Sequence, residues 1–404
     1  MRSRRVVITG IGIICAIGKS YEEFTRSLRN GRCGTDRITA FDVSGLNSVY
    51  GCEVKDYSPL DHFGRRELRR MDRGSQFALI AARQALQSSG IVTADLDAAK
   101  CGVVLGTTLG GFVSGMEYYR RWQAKRLSLG FLLDYPLYSA GARICVETGF
   151  TGFNMVFSTA CSSSGVALGH AFDLIRNGTA DMIIAGGFDT MAEITCSGFG
   201  VLRNVSPDIC RPFDKNRKGI ILGEGAACVV MEEESLHRRR GGPCHAEFLG
   251  YGMSSDAYHM TAPDITGRGP TACMEQALAK AGVQADGVDY INAHGTGTIH
   301  NDMIESLAIK RCFGPRAYLI PVSSTKSMHG HTLGAAGAIE AVCAIAAMEG
   351  NFIPPTINYS TPDPSCDLDY VPNEARDGQA NVVLSNTFGF GGNNCSTLWG
   401  RYVE

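Results

Sequence analysis

The sequence predicts an α/β protein made of two similar halves, each a parallel-type sheet covered by helices. Three observations carry this. Short β-branched runs alternate with longer helical stretches of small residues, as in sheets buried on both faces. The strand–turn–helix unit VFSTACSSSGVALGHAFDLIRNG (156–178) recurs as PVSSTKSMHGHTLGAAGAIEAVCAIAAMEG (321–350), and ADMIIAGGF from Ala180 recurs as ANVVLSNTF from Ala380. Glycine-rich loops stand at strand ends, the rim where open α/β folds bind ligands.

Taken in order, the strands are VVITGIG, CGVVLGTT, FNMVFST, DMIIAGG and AACVVMEE, then AEFLGYG, VDYINAHG, PVSSTKS and NVVLSNTFG. The charged, glycine-ended stretch EEESLHRRRGGP (232–243) separates the two sets, which divides the chain into halves 1–245 and 246–404. Small residues permit close approach, so the two Gly/Ala-rich helices are expected to lie buried back to back. The opening MRSRR and the apolar run after it imitate a secretory leader. No small-residue cleavage site follows cleanly, however, and the run reads as a buried first strand. No stretch reaches the roughly 18 apolar residues of a membrane helix.

The 404 residues, 44% apolar and 19% charged, suffice for about two or three cores without metals or disulfides. With 38 basic and 40 acidic side chains the net charge is −2, which gives no global pull toward nucleic acid or anionic membrane. Only the RRR at 238–240 would argue for either. Fifteen cysteines lie at least fourteen positions apart, so there is no CxxC pair. Most sit in apolar runs, as Cys228 and Cys343 do, where a reduced thiol packs as a small hydrophobe. A reducing cytoplasm is the expected compartment.

The early GIGIICAIG invites a dinucleotide reading, but Cys15 stands where the third glycine of that fingerprint belongs. FSTACSSSGVALGHAFDL is more informative. Cys161 leaves a strand and opens a helix, where the helix dipole lowers a thiol pKa and backbone N–H groups can hold an oxyanion. INAHGTGT puts His294 in a glycine-broken turn with the hydroxyls of Thr296 and Thr298 beside it. SSTKSMHGHTLGAAG puts Lys326 and His331 between a strand and a helix, and NTFGFGGNN offers Phe388 and Phe390 in a third strand-end loop. One thiol, two imidazoles and one ammonium on one rim make an acyl-thioester site, with a nucleophile and neutral donors for an enolate. His329 and His331 lack a carboxylate or cysteine at ligand spacing, so no metal is expected.

The set TACSSS, RPFDKNRKGIILGEGAA, INAHGTGT, SSTKSMHGH, GAAGAIEA and NTFGFGGNN resembles the condensing enzymes of the thiolase superfamily. The likeness is to elongating β-ketoacyl-[acyl carrier protein] synthases of the type II class and to ketosynthase subunits of type II polyketide synthases. It runs over essentially the whole chain. The resemblance implies a thiolase-like fold with duplicated halves, layered αβαβα around two mixed five-stranded sheets, usually dimeric. It implies Cys161 as the acyl acceptor, His294 and His331 as the histidine pair, and Lys326 as the lysine orienting the second. Thr296 and Thr298 would hold the phosphopantetheine arm. Phe390 would gate the site and share the oxyanion hole with Cys161, and Leu109 with Phe390 would line the acyl tunnel. The implied reaction is decarboxylative condensation of an acyl thioester with malonyl-carrier protein, with no cofactor beyond the carrier's own arm.

Acyl carrier protein is thus the expected partner, together with a second copy of the chain or a chain-length-factor-like subunit. Carrier proteins of this kind are acidic. If GRRELRRMDR is helical, Arg65, Arg69 and Arg73, with Arg66 and Arg70 alongside, form one basic docking face. Arg120, Arg121, Lys125 and Arg126 form a second, weaker patch. His329 departs from the small residue usual before Gly330-His331, either facing away or depressing His331's pKa. RRMDRGSQFAL, DAYHMTAP and DPSCDLDYVPNEAR lean toward the polyketide or polyene enzymes, with a fatty-acid synthase of the second type as the alternative. Two rivals remain. A degradative thiolase would use Cys395 as a second catalytic cysteine, and a non-catalytic chain-length factor would lack Cys161.

Overall fold

The computed structural model describes residues 4–126 and 129–404. Ten strands build one sheet: β1 Val6–Cys15, β2 Cys101–Gly106, β3 Phe153–Phe157, β4 Met182–Asp189, β5 Gly225–Glu233, β6 Ala246–Ser255, β7 Tyr290–Asn292, β8 Val322–Ser323, β9 Val382–Gly389 and β10 Asn393–Gly400. Their order across the sheet is β8-β7-β9-β10-β6-β1-β5-β4-β2-β3. Read outward from the middle, each half repeats one plan. β1-β5-β4-β2-β3 and β6-β10-β9-β7-β8 both run through two antiparallel pairings and then two parallel ones. The sheets are thus mixed, and the internal repeat noted in the sequence is a repeat of strand order.

The expectation of two separate five-stranded sheets needs one correction. β1 and β6 pair antiparallel at Val7–Glu247 and Ile8–Ala246, so the halves are hydrogen-bonded edge to edge into a single sheet.

Helices α1 Arg73–Ser89 and α2 Ser139–Thr148 cover one outer face, while α4 Arg268–Ala281 and α5 Ile299–Phe313 cover the other. Between the two half-sheets lie α3 Ser163–Arg176 and α6 Ala336–Gly350, within a core that draws on both halves, from Val6 and Met231 to Phe248 and Trp399. The layering is αβαβα. As expected from their composition, α3 and α6 meet back to back. The Ala338 N–H donates to Ser164 Oγ at 2.9 Å, and a Cβ on Gly337 would stand 2.7 Å from the Gly165 nitrogen. Gly337→Val is expected to lower stability by about 1–3 kcal/mol by forcing these helices apart. A urea midpoint equal to that of the parent would contradict it.

The GIG of β1 is packing, not a phosphate cradle. Cβ atoms on Gly10 and Gly12 would lie 2.0 and 1.9 Å from carbonyl oxygens of α1. The GYG of β6 repeats the device, since a Cβ on Gly252 would lie 2.0 Å from the Cys273 carbonyl of α4. The opening run is the fully buried strand β1, while Met1 to Ser3 lie outside the described residues. Among the described residues, Leu333–Gly350 is long and apolar enough to cross a membrane, contrary to the expectation that no stretch is; 89% of that window is buried in the core.

The basic face forms only in part. The first helix there is a single turn, Arg65–Leu68. Asp72 then caps α1 by accepting from the Gly74 N–H at 2.9 Å, and Arg73 turns inward to the buried Glu224 at 2.6 Å. Arg65, Arg66, Arg69 and Arg70 remain exposed. In the RRR run, Arg238 pairs with Glu234 and Arg240 with the buried Glu232.

Candidate active site

The turn from β3 into α3 presents Cys161. Ala160 just before it takes φ = +54°, a left-handed conformation that costs a side-chain-bearing residue about 1–2 kcal/mol. The serines of TACSSS hold that turn. Ser162 Oγ donates to the Thr159 carbonyl at 2.8 Å, and Ser163 Oγ donates to the Ala160 carbonyl at 2.5 Å while accepting from the Thr159 N–H at 2.9 Å. Cys161 is 6% exposed, and the backbone N–H groups of Phe390 and of Cys161 itself stand beside its sulfur.

Burial pushes the Cys161 thiol up to about 11, against the opposing pull of the Lys326 ammonium and the Phe390 N–H. The expectation of a lowered pKa from the helix dipole is therefore corrected. α3 begins two residues further on, and desolvation outweighs the donors. The thiolate fraction then grows about tenfold per pH unit. Alkylation of the Cys161 peptide by iodoacetamide should climb at that rate from pH 7 to pH 10. A rate already flat across that range would overturn this.

His294 follows β7. Its loop is anchored by Glu305 of α5, whose carboxylate accepts from the N–H groups of His294 and Gly295, each at 2.8 Å. Burial pushes that carboxyl up to about 7. The Thr296 and Thr298 hydroxyls are 2.8 Å apart. His331 follows β8, and its ring stands nearly perpendicular to that of His294, at 88° with centroids 5.4 Å apart. The Leu333 N–H donates to His331 Nδ1 at 3.1 Å, so the proton of a neutral ring sits on Nε2. Burial first, and Lys326 second, hold both imidazoles well below the ordinary histidine range. Both are neutral at pH 7.

Lys326 is fully buried and ion-paired with Glu340 of α6. Burial raises the Glu340 carboxyl, and the ammonium pulls it back down. At the end of β4, Asp189 accepts from Thr107 Oγ1 and from the Thr108, Leu109 and Gly334 N–H groups at 2.7–2.9 Å. It thereby ties the Leu109 loop to the turn after His331, and burial pushes it up to about 6.

Cys161, His294, His331, Thr296, Thr298 and Phe390 all line one cavity of about 380 Å³. The Phe390 ring packs on Phe199 at 5.4 Å. Leu109 lies outside that lining, packed with Phe199 against an apolar cluster around Met191 and Leu333. Met191 also lines a second cavity of about 390 Å³ with Phe41, Phe112 and Met116. The four exposed arginines lie outside the lining of the first cavity. In the second basic patch, Arg120 pairs with Glu193 and Arg121 with Glu117. Cys395 is buried against Gly165 of α3, away from the cavity, so it cannot serve as a second catalytic thiol. His329 faces away as well, with both ring nitrogens bonded inside the protein.

Sequence reasoning misses Glu305, Glu340 and Asp189, and the cations Arg203 and Lys218 at the cavity. Glu340 has a local signal, as the lone charge within the apolar run GAIEAVCAIAAM. Asp189 holds backbone N–H groups of loops remote in sequence, and Glu305 holds those of the loop ten and eleven positions before it, with no motif to mark either.

The family models for the N-terminal and C-terminal domains of β-ketoacyl synthase match residues 3–237 and 245–360. The chain is 41% identical to 3-oxoacyl-[acyl-carrier-protein] synthase 2 of Coxiella burnetii over the whole of both chains. It is 39% identical to nodulation protein E of Rhizobium meliloti, over 97% of this chain and 98% of that one. Among solved structures, the ishigamide ketosynthase/chain length factor superposes with a TM-score of 0.95 at 37% identity, covering 99% of this chain and 100% of the other. A type II polyketide ketosynthase solved with its acyl-carrier protein gives 0.93 at 30% identity over the whole of both chains.

Proposed function

The chain belongs to the β-ketoacyl synthase family, a family of condensing acyltransferases, and from that premise we propose which residues here perform the condensation. The observation that carries the reading is one cavity holding a thiol beside two backbone N–H groups together with two neutral imidazoles. Cys161 Sγ loses its proton and attacks the carbonyl carbon of an acyl-carrier thioester. The carrier thiol leaves with a proton, and the acyl group stays on sulfur. Malonyl-carrier protein enters along Thr296 and Thr298. As the bond to its carboxylate breaks, the electron pair becomes an enolate held by His331 Nε2–H and by His294, and carbon dioxide leaves. The enolate carbon attacks the Cys161 thioester, whose oxyanion meets the N–H groups of Cys161 and Phe390, and the C–S bond breaks. Neutral donors suit this, because a charged imidazolium would bind the malonyl carboxylate and hold it in place. The product is a 3-ketoacyl thioester two carbons longer.

Type II polyketide or polyene extension is the favoured setting, supported by the TM-score of 0.95 to the ishigamide ketosynthase/chain length factor. Fatty-acid elongation is the second reading, favoured by the 41% identity to 3-oxoacyl-[acyl-carrier-protein] synthase 2. The two halves 1–245 and 246–404 act together, the first supplying the thiol and the second the imidazoles. A second subunit, identical or chain-length-factor-like, pairs along edge strand β3. Val146 and Tyr138 are exposed in the α2 region, and Leu129 and Trp122 in the segment before it, which supports an apolar interface. Fifteen free cysteines suit a reducing cytoplasm.

Carrier protein docks on Arg65, Arg66, Arg69 and Arg70, which are exposed and have no ion-pair partner among the described residues. Reversing all four to glutamate is expected to raise KM for the carrier by about tenfold and to leave kcat nearly unchanged. An unchanged KM would remove this surface from consideration. The function itself is tested by incubating the protein alone with acyl-carrier and malonyl-carrier proteins and weighing both products. A 3-ketoacyl carrier supports a self-sufficient synthase. Its appearance only after a chain-length-factor-like subunit is added supports the polyketide setting, and its absence in both cases refutes the condensation.

A further inference from the structure

We propose that His329 is a positioning residue for His331, acting through the peptide unit that joins Gly330 to His331; this rests on the enolate-binding role given to His331 above. That peptide is bonded at both ends inside the protein. The His331 N–H donates to the Ile221 carbonyl at 2.7 Å, and the Gly330 carbonyl accepts from His329 Nδ1 at 2.9 Å. A carbonyl only accepts, so Nδ1 carries the ring proton and Nε2 accepts from the Thr325 hydroxyl at 3.0 Å. Thr325 in turn receives the Cys343 S–H from α6 at 3.5 Å. The result is a relay running from α6 through Thr325 and the His329 ring to the one carbonyl that precedes the catalytic imidazole.

The placement matters because of where the chain can pivot. Gly330 sits at φ +71°, ψ −177° and has no side chain to hold it. Downstream, the His331 carbonyl is fixed by the Gly223 N–H at 2.9 Å, and upstream the Gly330 N–H donates to the Lys326 carbonyl at 2.9 Å, so among these groups the Gly330 carbonyl alone is held by a side chain. Without its donor, the buried Gly330 carbonyl is unsatisfied and the peptide rotates to find another. Such a rotation turns the His331 ring relative to His294. His329 itself touches neither substrate nor cavity.

The two ring nitrogens can be separated by side chain. Asparagine places an amide nitrogen where Nδ1 stands, and glutamine reaches the place of Nε2. His329→Asn, His329→Gln and His329→Leu are compared by two rates: self-acylation of Cys161, and decarboxylation of malonyl-carrier protein. Acylation should stay within about threefold of the parent in all three. Decarboxylation should fall about 10–100-fold in the glutamine and leucine variants, the scale of a small misplacement of a reacting group, and stay within about fivefold in the asparagine variant. Equal loss in the asparagine and glutamine variants overturns the proposal, as do a parallel fall of both rates and unchanged decarboxylation throughout. The asparagine–glutamine contrast stands even if the leucine variant fails to fold. A parent protein that decarboxylates nothing refutes the underlying function, which separates that failure from this one.

Discussion

Cys161→Ala is expected to remove the acyl adduct and to lower formation of the 3-ketoacyl product by more than about 10⁴-fold, the scale of losing a nucleophile that acts as part of a unit. The adduct is read by intact mass after incubation with acyl-carrier protein. The geometry makes the result specific. The sulfur lies within reach of both the Phe390 N–H and its own N–H, and the thiol of Cys395 is shut into the packing of α3. Decarboxylation of malonyl-carrier protein breaks a bond assigned to His294 and His331, so it should survive in the variant. An acyl adduct persisting after the substitution would mean that a different nucleophile carries the chain.

Much of this site is legible in the sequence alone. The strand–turn–helix units around Cys161 and His331 stand out because glycine and hydroxyl residues mark strand ends, and the second copy of the unit reinforces the first. What fails does so for non-local reasons. Arg65 to Arg73 have the spacing of one helical face. The break comes from Asp72, which caps a new helix, and from Glu224, which lies 151 positions from Arg73 and draws it inward. The thiol pKa is misjudged from sequence because the dipole is written locally, whereas burial by Phe390 and the second half of the chain is not. The joining of the two sheets into one depends on two residue pairs between β1 and β6, too few to leave a pattern.

The second large effect concerns the buried pair Lys326–Glu340, both fully inaccessible. Glu340→Leu leaves an ammonium in the core with no counter-charge, and such half-removals cost about 3–5 kcal/mol. Lys326→Met should cost a similar amount, by leaving the carboxylate alone. The double variant removes both desolvation penalties at once, so its chemical-denaturation midpoint should lie closer to the parent than either single variant. Activity should not return with stability, because the ammonium that acts on Cys161, His294 and His331 is absent. If the two single losses simply add in the double variant, the pair is not coupled and the account of this core is wrong.

The repeated strand order has a consequence for how one scaffold holds two kinds of reactive group. β3 with α3, and β8 with α6, hold the same place in the two halves, and the two inner helices touch at Gly165 and Gly337. The thiol of Cys161 and the imidazole of His331 each follow the outermost strand of their own half. Neither half holds a complete site, and the two groups share one cavity between halves whose inner helices pack together. The repeated strand order sets the spacing, and two short turns of different sequence place a thiol after one outer strand and an imidazole after the other.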